Sequence, residues 1–185
     1  MNYATIKRND IANGVGVRVS LFVSGCRHHC KNCFNQEAWS FSFGQPFTEQ
    51  TIANIVEWLA PSYVDGLSLL GGEPFEPENQ QALVELVQTV RKTYPHKSIW
   101  CYTGFVFEDI LAGKVGNKQT ALQLLSNVDV LVDGKFVEEQ KDLSLMFRGS
   151  ANQRILDVAK SLQSGTAVWM QGKWNRTRGG NIHEQ

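Results

Sequence analysis

Short apolar segments alternate with amphipathic segments along this chain of 185 residues, and the alternation constrains the fold more than any other feature. The segments with the character of buried strands cover residues 17–23, 67–70, 98–102 and 128–132. Apolar side chains recur with helical spacing over residues 49–60, 78–93, 108–111 and 120–125. This order predicts an α/β protein with a mainly parallel sheet. Further along, the weaker pattern predicts a helix over 155–162 and a strand over 166–170.

The length of the chain limits how far such a fold can extend. A complete eight-fold β/α barrel needs about 250 residues, so 185 residues predict an incomplete, partial barrel. The mass of 20.8 kDa is typical of one domain, which we assign to residues 1–171. Residues 172–185 are polar and rich in glycine, and we expect them to form a loose tail.

Charge and hydropathy exclude several classes of function. The 18 basic and 18 acidic residues give a net charge of zero, which argues against binding to the phosphate backbone of a nucleic acid. No apolar stretch reaches the length of a transmembrane helix, so no contact with a membrane is expected. The first residues lack the apolar run of a secretory signal, so we expect a cytoplasmic protein. Four cysteines in that compartment are more typical of thiols or metal ligands than of disulfides.

Three of the four cysteines lie in one short loop directly after the first predicted strand. Cys26, Cys30 and Cys33 form the pattern C-x3-C-x2-C. Three thiolates on a tight loop can each bind one iron of a cubane 4Fe–4S cluster. Because such clusters usually take four cysteines, the fourth iron would remain open to another ligand.

The spacing of these cysteines also allows other interpretations. A zinc site is one of them, because His28 or His29 could complete a Cys3His set. Inert buried thiols are another. We expect both histidines to face solvent, since residues between ligands in so short a loop point outward. The remaining cysteine, Cys101, lies in an apolar strand and is expected to be a core residue.

Chemically distinctive residues follow the other predicted strands as well. They are Gly71, Gly72, Glu73 and Pro74 after the second strand, Thr103 and Gly104 after the third, and Asp133, Gly134 and Lys135 after the fourth. The carboxyl ends of parallel strands form one edge of a sheet, where α/β proteins bind ligands. We therefore expect these segments and the cysteine loop to converge on one site. Taken singly, the segments at Gly71 and at Asp133 are also typical of ordinary turns.

Together these segments resemble the radical S-adenosylmethionine superfamily, whose mark is the C-x3-C-x2-C loop after the first strand. A closer resemblance is to the activating proteins of anaerobic, class III ribonucleoside-triphosphate reductases. It covers about residues 1–155 and includes the segments NGVGVR, LFVSGC, CFNQEAW, GGEPFEP, YTGF, VDVLVDGKF and FRGSANQR. The last two segments and the small size distinguish this family from other radical S-adenosylmethionine proteins.

The resemblance implies a fold and a set of site residues. The fold is a partial TIM-like β/α barrel of the radical S-adenosylmethionine type. Cys26, Cys30 and Cys33 would hold a 4Fe–4S cluster whose open iron binds S-adenosylmethionine. The implied contacts to that cofactor are Gly72 and Glu73 at its ammonium group, Asp133 and Lys135 at its polar part, Asn32 and Phe34 at its adenosyl part, and the neighbouring Gly71, Pro74 and Thr103.

The resemblance also implies an activity and partners. An electron passed through the cluster would cleave S-adenosylmethionine, and the resulting 5′-deoxyadenosyl radical would take a hydrogen from a backbone glycine of the large subunit of the reductase. A low-potential donor such as a flavodoxin would supply the electron. Two alternatives remain, a radical S-adenosylmethionine enzyme that acts on a small molecule and a zinc-stabilised interaction module.

Overall fold

A mixed sheet, with seven strands among the residues that the structure describes, forms the centre of the protein. The computed structural model describes residues 1–172 and residue 174. Its strands are β1 (Asn2–Asp10), β2 (Val17–Val23), β3 (Gln45–Pro46), β4 (Val64–Gly71), β5 (Ser98–Tyr102), β6 (Val130–Asp133) and β7 (Arg154–Asp157). They lie side by side in the order β3-β1-β2-β4-β5-β6-β7. The four neighbours β2, β4, β5 and β6 are parallel, whereas β1, β3 and β7 pair antiparallel at the two sides. The predicted α/β class with a mainly parallel sheet is confirmed.

In the described part of the chain, five α-helices connect or follow these strands. They are α1 (Glu49–Leu59), α2 (Pro77–Thr93), α3 (Phe107–Ala112), α4 (Lys118–Ser126) and α5 (Val158–Ser164). Local sequence explains where they begin. Thr48 caps α1 by accepting a hydrogen bond from the Thr51 amide, and Pro77 occupies the first turn of α2, where no amide hydrogen is needed. No helix among residues 1–172 is long and apolar enough to cross a membrane.

The two faces of the sheet have different characters. On one face, alternate strand residues pack against the helices in a large apolar core, which includes Leu21, Leu69, Cys101, Leu131, Ile55, Leu83, Val87 and Leu124. On the other face lies a smaller cluster of Trp100, Val130, Val132 and Ile155. The fully buried Arg18 lies beside it and donates hydrogen bonds to the Ser68 hydroxyl and the Ser98 carbonyl oxygen. Among the described residues, no α-helix contributes to this second cluster, so we call this side the helix-free face; with Arg18 beside the cluster, it is partly polar.

The structure corrects the sequence analysis at both ends of the chain. Strand β1 was not predicted, because its charged and exposed residues lack the apolar alternation of a buried strand. The helix predicted over 155–162 is wrong at its start, since β7 pairs with β6 and Asp157 then caps α5. The strand predicted over 166–170 is reduced to one bridge between Leu156 and Trp169. The tail predicted over 172–185 lies outside the described residues, apart from Gly172 and Trp174.

Candidate functional site

A cavity of about 460 Å³ opens at the carboxyl ends of β2, β4 and β5. Most of the residues predicted to form the site line it: Cys26, Cys30, Asn32, Cys33, Phe34, Gly71, Gly72, Glu73 and Thr103. The parallel register explains this convergence, because β2, β4 and β5 end side by side. Pro74, Asp133 and Lys135 are not among the residues that line the cavity.

The cysteine loop is fastened to its surroundings by backbone hydrogen bonds. The Cys26 amide donates to the carbonyl oxygen of Trp39, which lies in a short 3-10 turn at Gln36–Trp39. His29 and Asn32 have φ angles of 47° and 55°, in the left-handed region. These two positions curl the loop tightly, so that all three cysteines reach the cavity.

The end of β4 lies directly against this loop. The Gly72 amide donates to the Val23 carbonyl oxygen over 2.7 Å, and the Glu73 amide donates to that of Gly25 over 2.8 Å. A Cβ atom on Gly72 would lie 2.6 Å from the Gly25 oxygen. Gly71 has a φ angle of +110°, and a Cβ there would lie 2.6 Å from the Val23 nitrogen. Only glycine allows the two segments to approach so closely.

Backbone amides interact with the sulfurs of the cysteine loop. The Asn35 amide donates a hydrogen bond to Cys33 Sγ over 3.4 Å, and the backbone amides of His28 and Phe136 favour the thiolate forms of Cys26 and Cys30. Burial nevertheless raises the pKa of Cys26 to about 11 and raises the pKa of Cys30. The metal-free thiols of Cys26 and Cys30 are therefore protonated at neutral pH, and metal binding would displace their protons. The amide donors then stabilise the thiolates that a metal requires.

The donor set fits an iron–sulfur cluster better than a single zinc ion. Among residues 1–172 and 174, no three His, Cys, Asp or Glu side chains meet closely enough to hold one metal ion. His28 is hydrogen-bonded to Glu73, and the His29 ring packs against Trp39 at 4.5 Å. Neither histidine is placed as a fourth zinc ligand. A cluster does not require the three thiols to bind one common ion, because each thiolate can bind a different iron.

The Glu73 carboxylate lies at the inner wall of the cavity and is only 1% exposed. One oxygen accepts hydrogen bonds from the Phe75 amide and the Thr103 hydroxyl, each over 2.8 Å. The other oxygen accepts from the Gly104 amide over 2.7 Å and contacts His28 Nε2 at 2.9 Å. This carboxylate thus joins the ends of β4 and β5 to the cysteine loop.

His28 does not face solvent, so that prediction is wrong. Its side chain is 16% exposed, and its ring meets the ring of Phe105 edge-on at 4.5 Å. A Cβ atom on Gly104 would lie 2.5 Å from the ring. The histidine turns inward because Gly104 leaves room for the ring and Glu73 offers it a hydrogen-bond partner.

Asp133 is not among the residues that line the cavity, although the next residue, Gly134, lines it, and its contact with a cofactor stays a prediction. It is fully buried, and it accepts hydrogen bonds from Arg154 Nε over 2.9 Å and from the Phe107 amide over 2.8 Å. Arg154 also binds Glu108, over 3.0 and 2.7 Å. Asp133 therefore fastens β7 and the start of α3 to the end of β6.

The other two predicted contacts also lie outside the cavity lining. Pro74 is buried next to Glu73. Lys135 is exposed, and its charge lies near enough to Cys30 to favour the thiolate. The structure thus brings Lys135 to the cluster side of the site, while its expected contact with a small ligand stays a prediction.

Sequence reasoning missed the wall that the segment 147–153 contributes. Phe147 lines the cavity with a φ angle of 59°, and its ring meets Trp100 at 5.4 Å. The Gln153 side chain accepts hydrogen bonds from two backbone amides, those of Gly149 and Ser150, and donates to the Gly134 carbonyl oxygen. The segment FRGSANQR contributed to the resemblance, but no spacing in it indicates a chemical role.

Comparison with known proteins supports the iron–sulfur interpretation. Residues 12–156 match the model of a family described as a 4Fe-4S single cluster domain. A protein of Vibrio cholerae is 45% identical over 157 residues, which cover 84% of this chain and 97% of that protein. Proteins of Haemophilus influenzae and of Enterobacteria phage T4 are each 43% identical, over 84% of this chain and 97% and 93% of their own lengths. All three are named anaerobic ribonucleoside-triphosphate reductase-activating protein.

Proposed function

Because this chain belongs to the family of anaerobic ribonucleoside-triphosphate reductase-activating proteins, with their 4Fe–4S domain, we propose that it is a radical S-adenosylmethionine enzyme. Its product is a glycyl radical on the large subunit of such a reductase. The observation that carries the proposal is the cysteine loop itself. The three thiols line one cavity together with Glu73, and the Asn35 amide donates a hydrogen bond to the sulfur of Cys33.

The chain's own residues divide the work of this reaction. Cys26, Cys30 and Cys33 would hold the cluster, and the positive charge of Lys135 favours the thiolate form of Cys30. When bound, the cluster supplies the electron that cleaves S-adenosylmethionine into methionine and a 5′-deoxyadenosyl radical. The protein then has to orient the cofactor and exclude water, which is the usual contribution of a protein to cofactor chemistry.

Other cavity residues fit the parts of S-adenosylmethionine. Gly72 and Glu73 lie against the start of the cysteine loop, where an amino group bound to an open iron would be held. Asn32 and Phe34 lie at the mouth, and the Phe34 ring is 87% exposed, which leaves its face free for an adenine. Thr103 orients Glu73 through its hydroxyl. Leu70, Tyr102 and Phe147 supply an apolar wall.

The sheet supports the proposed partial barrel of the radical S-adenosylmethionine type. Its parallel strands β2, β4, β5 and β6 are neighbours in the order of the sequence, without the reversal that marks a doubly wound sheet. In the part of the chain that the structure describes, the core helices pack on one face of the sheet, as the outer helices of a barrel do. We propose that residues 1–171 form this one domain and that a low-potential protein such as a flavodoxin supplies the electron.

An anaerobic assay tests the proposed function. The protein, loaded with iron and sulfide, is incubated with S-adenosylmethionine and dithionite, with and without the large subunit of the cognate reductase. We expect 5′-deoxyadenosine by chromatography and, only with the large subunit, a glycyl radical by electron paramagnetic resonance. Replacing the radical-bearing glycine of that subunit by alanine should remove the signal. Cleavage with a modified small molecule and no protein radical would contradict the proposal.

Cysteine variants provide a matched control for the cluster ligands. Cys33→Ala should lose both bound iron and cleavage. Cys101→Ala should retain both, because Cys101 is a fully buried core residue of β5. A Cys101→Ala protein that fails to keep iron while it remains folded would contradict the assignment of the three ligands.

A further inference from the structure

The Glu73 carboxylate has no free position for a further hydrogen-bond donor. A carboxylate offers about four lone-pair positions, and Glu73 meets four donors, from Phe75, Thr103, Gly104 and His28. An ammonium group, or an amino group whose lone pair is bound to iron, can only donate hydrogen bonds. A ligand that places its ammonium on Glu73 must therefore replace one of the groups already present.

Three of the four donors are held in place by the fold. The Phe75 amide belongs to the same turn as Glu73, two residues along the chain. The Gly104 amide is part of the backbone at the end of β5. The Thr103 hydroxyl is buried, and it also accepts a hydrogen bond from the Phe105 amide over 3.1 Å. Replacing any of these donors would require a movement of the strand ends.

His28 is the donor that can leave. It belongs to the cysteine loop and lines the cavity. Among the described residues, its ring makes one hydrogen bond, the contact with Glu73. A rotation of the side chain is enough to break that contact, since no second hydrogen bond of the ring has to be broken. The edge-on contact with Phe105 and the space over Gly104 give the ring its place in the ligand-free protein.

We propose that His28 occupies the ammonium position on Glu73 in the ligand-free protein and yields it when S-adenosylmethionine binds. This inference rests on the proposed function, because that function supplies the ligand with its ammonium group. It makes His28 a positioning residue of the cysteine loop. His28 lies between two of the cysteines. Binding of the ligand therefore moves a residue of the loop that would hold the cluster.

Binding measurements with His28→Phe test the inference. The phenylalanine keeps a ring beside Phe105 but cannot donate to Glu73, so the ligand no longer competes for that position. We expect the unreduced, iron-loaded variant to bind S-adenosylmethionine about three- to tenfold more tightly than the wild type. 5′-Methylthioadenosine, which lacks the amino-acid part, should bind both proteins equally. His28→Gln, which restores a donor, should return the affinity toward the wild-type value.

His29→Phe is the matched control, because His29 is exposed and does not contact Glu73. Iron content and circular dichroism are measured for every variant, and His28→Ala replaces His28→Phe if the latter does not fold. Equal or weaker binding of S-adenosylmethionine by the His28 variant would overturn the inference alone. So would loss of iron from that variant and not from His29→Phe. A wild-type protein that loads iron but binds no S-adenosylmethionine would instead overturn the proposed function.

Discussion

Glu73 and Asp133 both stand at the carboxyl ends of parallel strands, yet they lie in different surroundings. Asp133 is the last residue of β6 and continues its alternation. Val132 points to the helix-free face, whereas Leu131 and Asp133 point to the helices, where Asp133 meets the start of α3. Glu73 follows β4 after one further glycine, Gly72, in a turn that reaches the cavity. The direction of a carboxylate at a strand end therefore depends on whether it continues the alternation of the strand, and not only on its place at that end.

The largest expected effect comes from Asp133, and it concerns stability. Asp133→Asn removes the charge that pairs with Arg154 in a buried position. Breaking such a pair should lower the free energy of unfolding by about 3 kcal/mol, measured by urea denaturation of the metal-free protein. Glu108→Gln is the control, and its exposed contact with Arg154 should contribute less than about 1 kcal/mol. If Asp133→Asn left the stability unchanged and weakened the binding of S-adenosylmethionine, the structural role of Asp133 would be wrong and a role in ligand binding would be supported.

Glu73→Gln should show the opposite profile. A charge-assisted hydrogen bond contributes about 1.5–3 kcal/mol, so the affinity for S-adenosylmethionine should fall about ten- to hundredfold. Iron content should stay at the wild-type level, because Glu73 is not a predicted cluster ligand. Isothermal titration under anaerobic conditions gives the affinity, and Asp133→Asn serves as the comparison. If both variants bound the cofactor as the wild type does, the cavity role of Glu73 would be wrong.

A smaller effect is expected at Lys135, the exposed neighbour of Asp133. The Lys135 cation lies near Cys30, so Lys135→Ala should make the cluster harder to reduce. A partly screened charge contributes at most about 1 kcal/mol, which corresponds to a shift of about 40 mV to lower potential. Redox titration followed by electron paramagnetic resonance measures it. Lys160→Ala is the control, on the far helix α5; an equal shift in both variants would contradict a specific effect of Lys135.

The smallest effect concerns acid stability near the cysteine loop. Arg27 binds Glu76 and the exposed Glu78, and hydrogen bonding to Arg27 lowers the pKa of Glu78 to about 2. A depressed pKa stabilises the fold above the usual glutamate value of 4.5, and that contribution is lost as the pH falls toward about 2. Glu78→Gln should reduce the dependence of stability on pH between pH 5 and pH 2. The unfolding equilibrium constant should change by less than tenfold. Urea denaturation between pH 5 and pH 2 checks it, and an unchanged slope would contradict the assignment.

The comparison of Glu73 with Asp133 also shows what the sequence could predict. The convergence of the cysteine loop with Gly72, Glu73 and Thr103 followed from parallel strands that end together, and the cavity lining agrees with it. To predict the orientation of Asp133, one would have to know where β6 ends to within one residue. The predicted strand stopped at Val132, whereas β6 includes Asp133. Local patterns do not fix element ends so closely.

The inward turn of His28 could not be predicted for a different reason. It depends on a space above Gly104 and on an acceptor from Glu73, 45 residues further along the chain. Neither feature is visible in the loop itself. Strand β1 was missed because its only extensive pairing is with β2, at one side of the sheet, so its sequence does not need the apolar pattern of a central strand.

The walls of the cavity have a consequence for how long the folded protein survives. They are drawn from residues as far apart in the chain as Ala12 and Gln153. A ligand held among such distant segments binds the folded chain and has no comparable site in the unfolded one. By mass action, each tenfold rise in the concentration of a bound ligand above its dissociation constant adds about 1.4 kcal/mol to the free energy of unfolding. On the proposed function, these ligands are the cluster and S-adenosylmethionine, so the lifetime of the folded protein would depend on the supply of both.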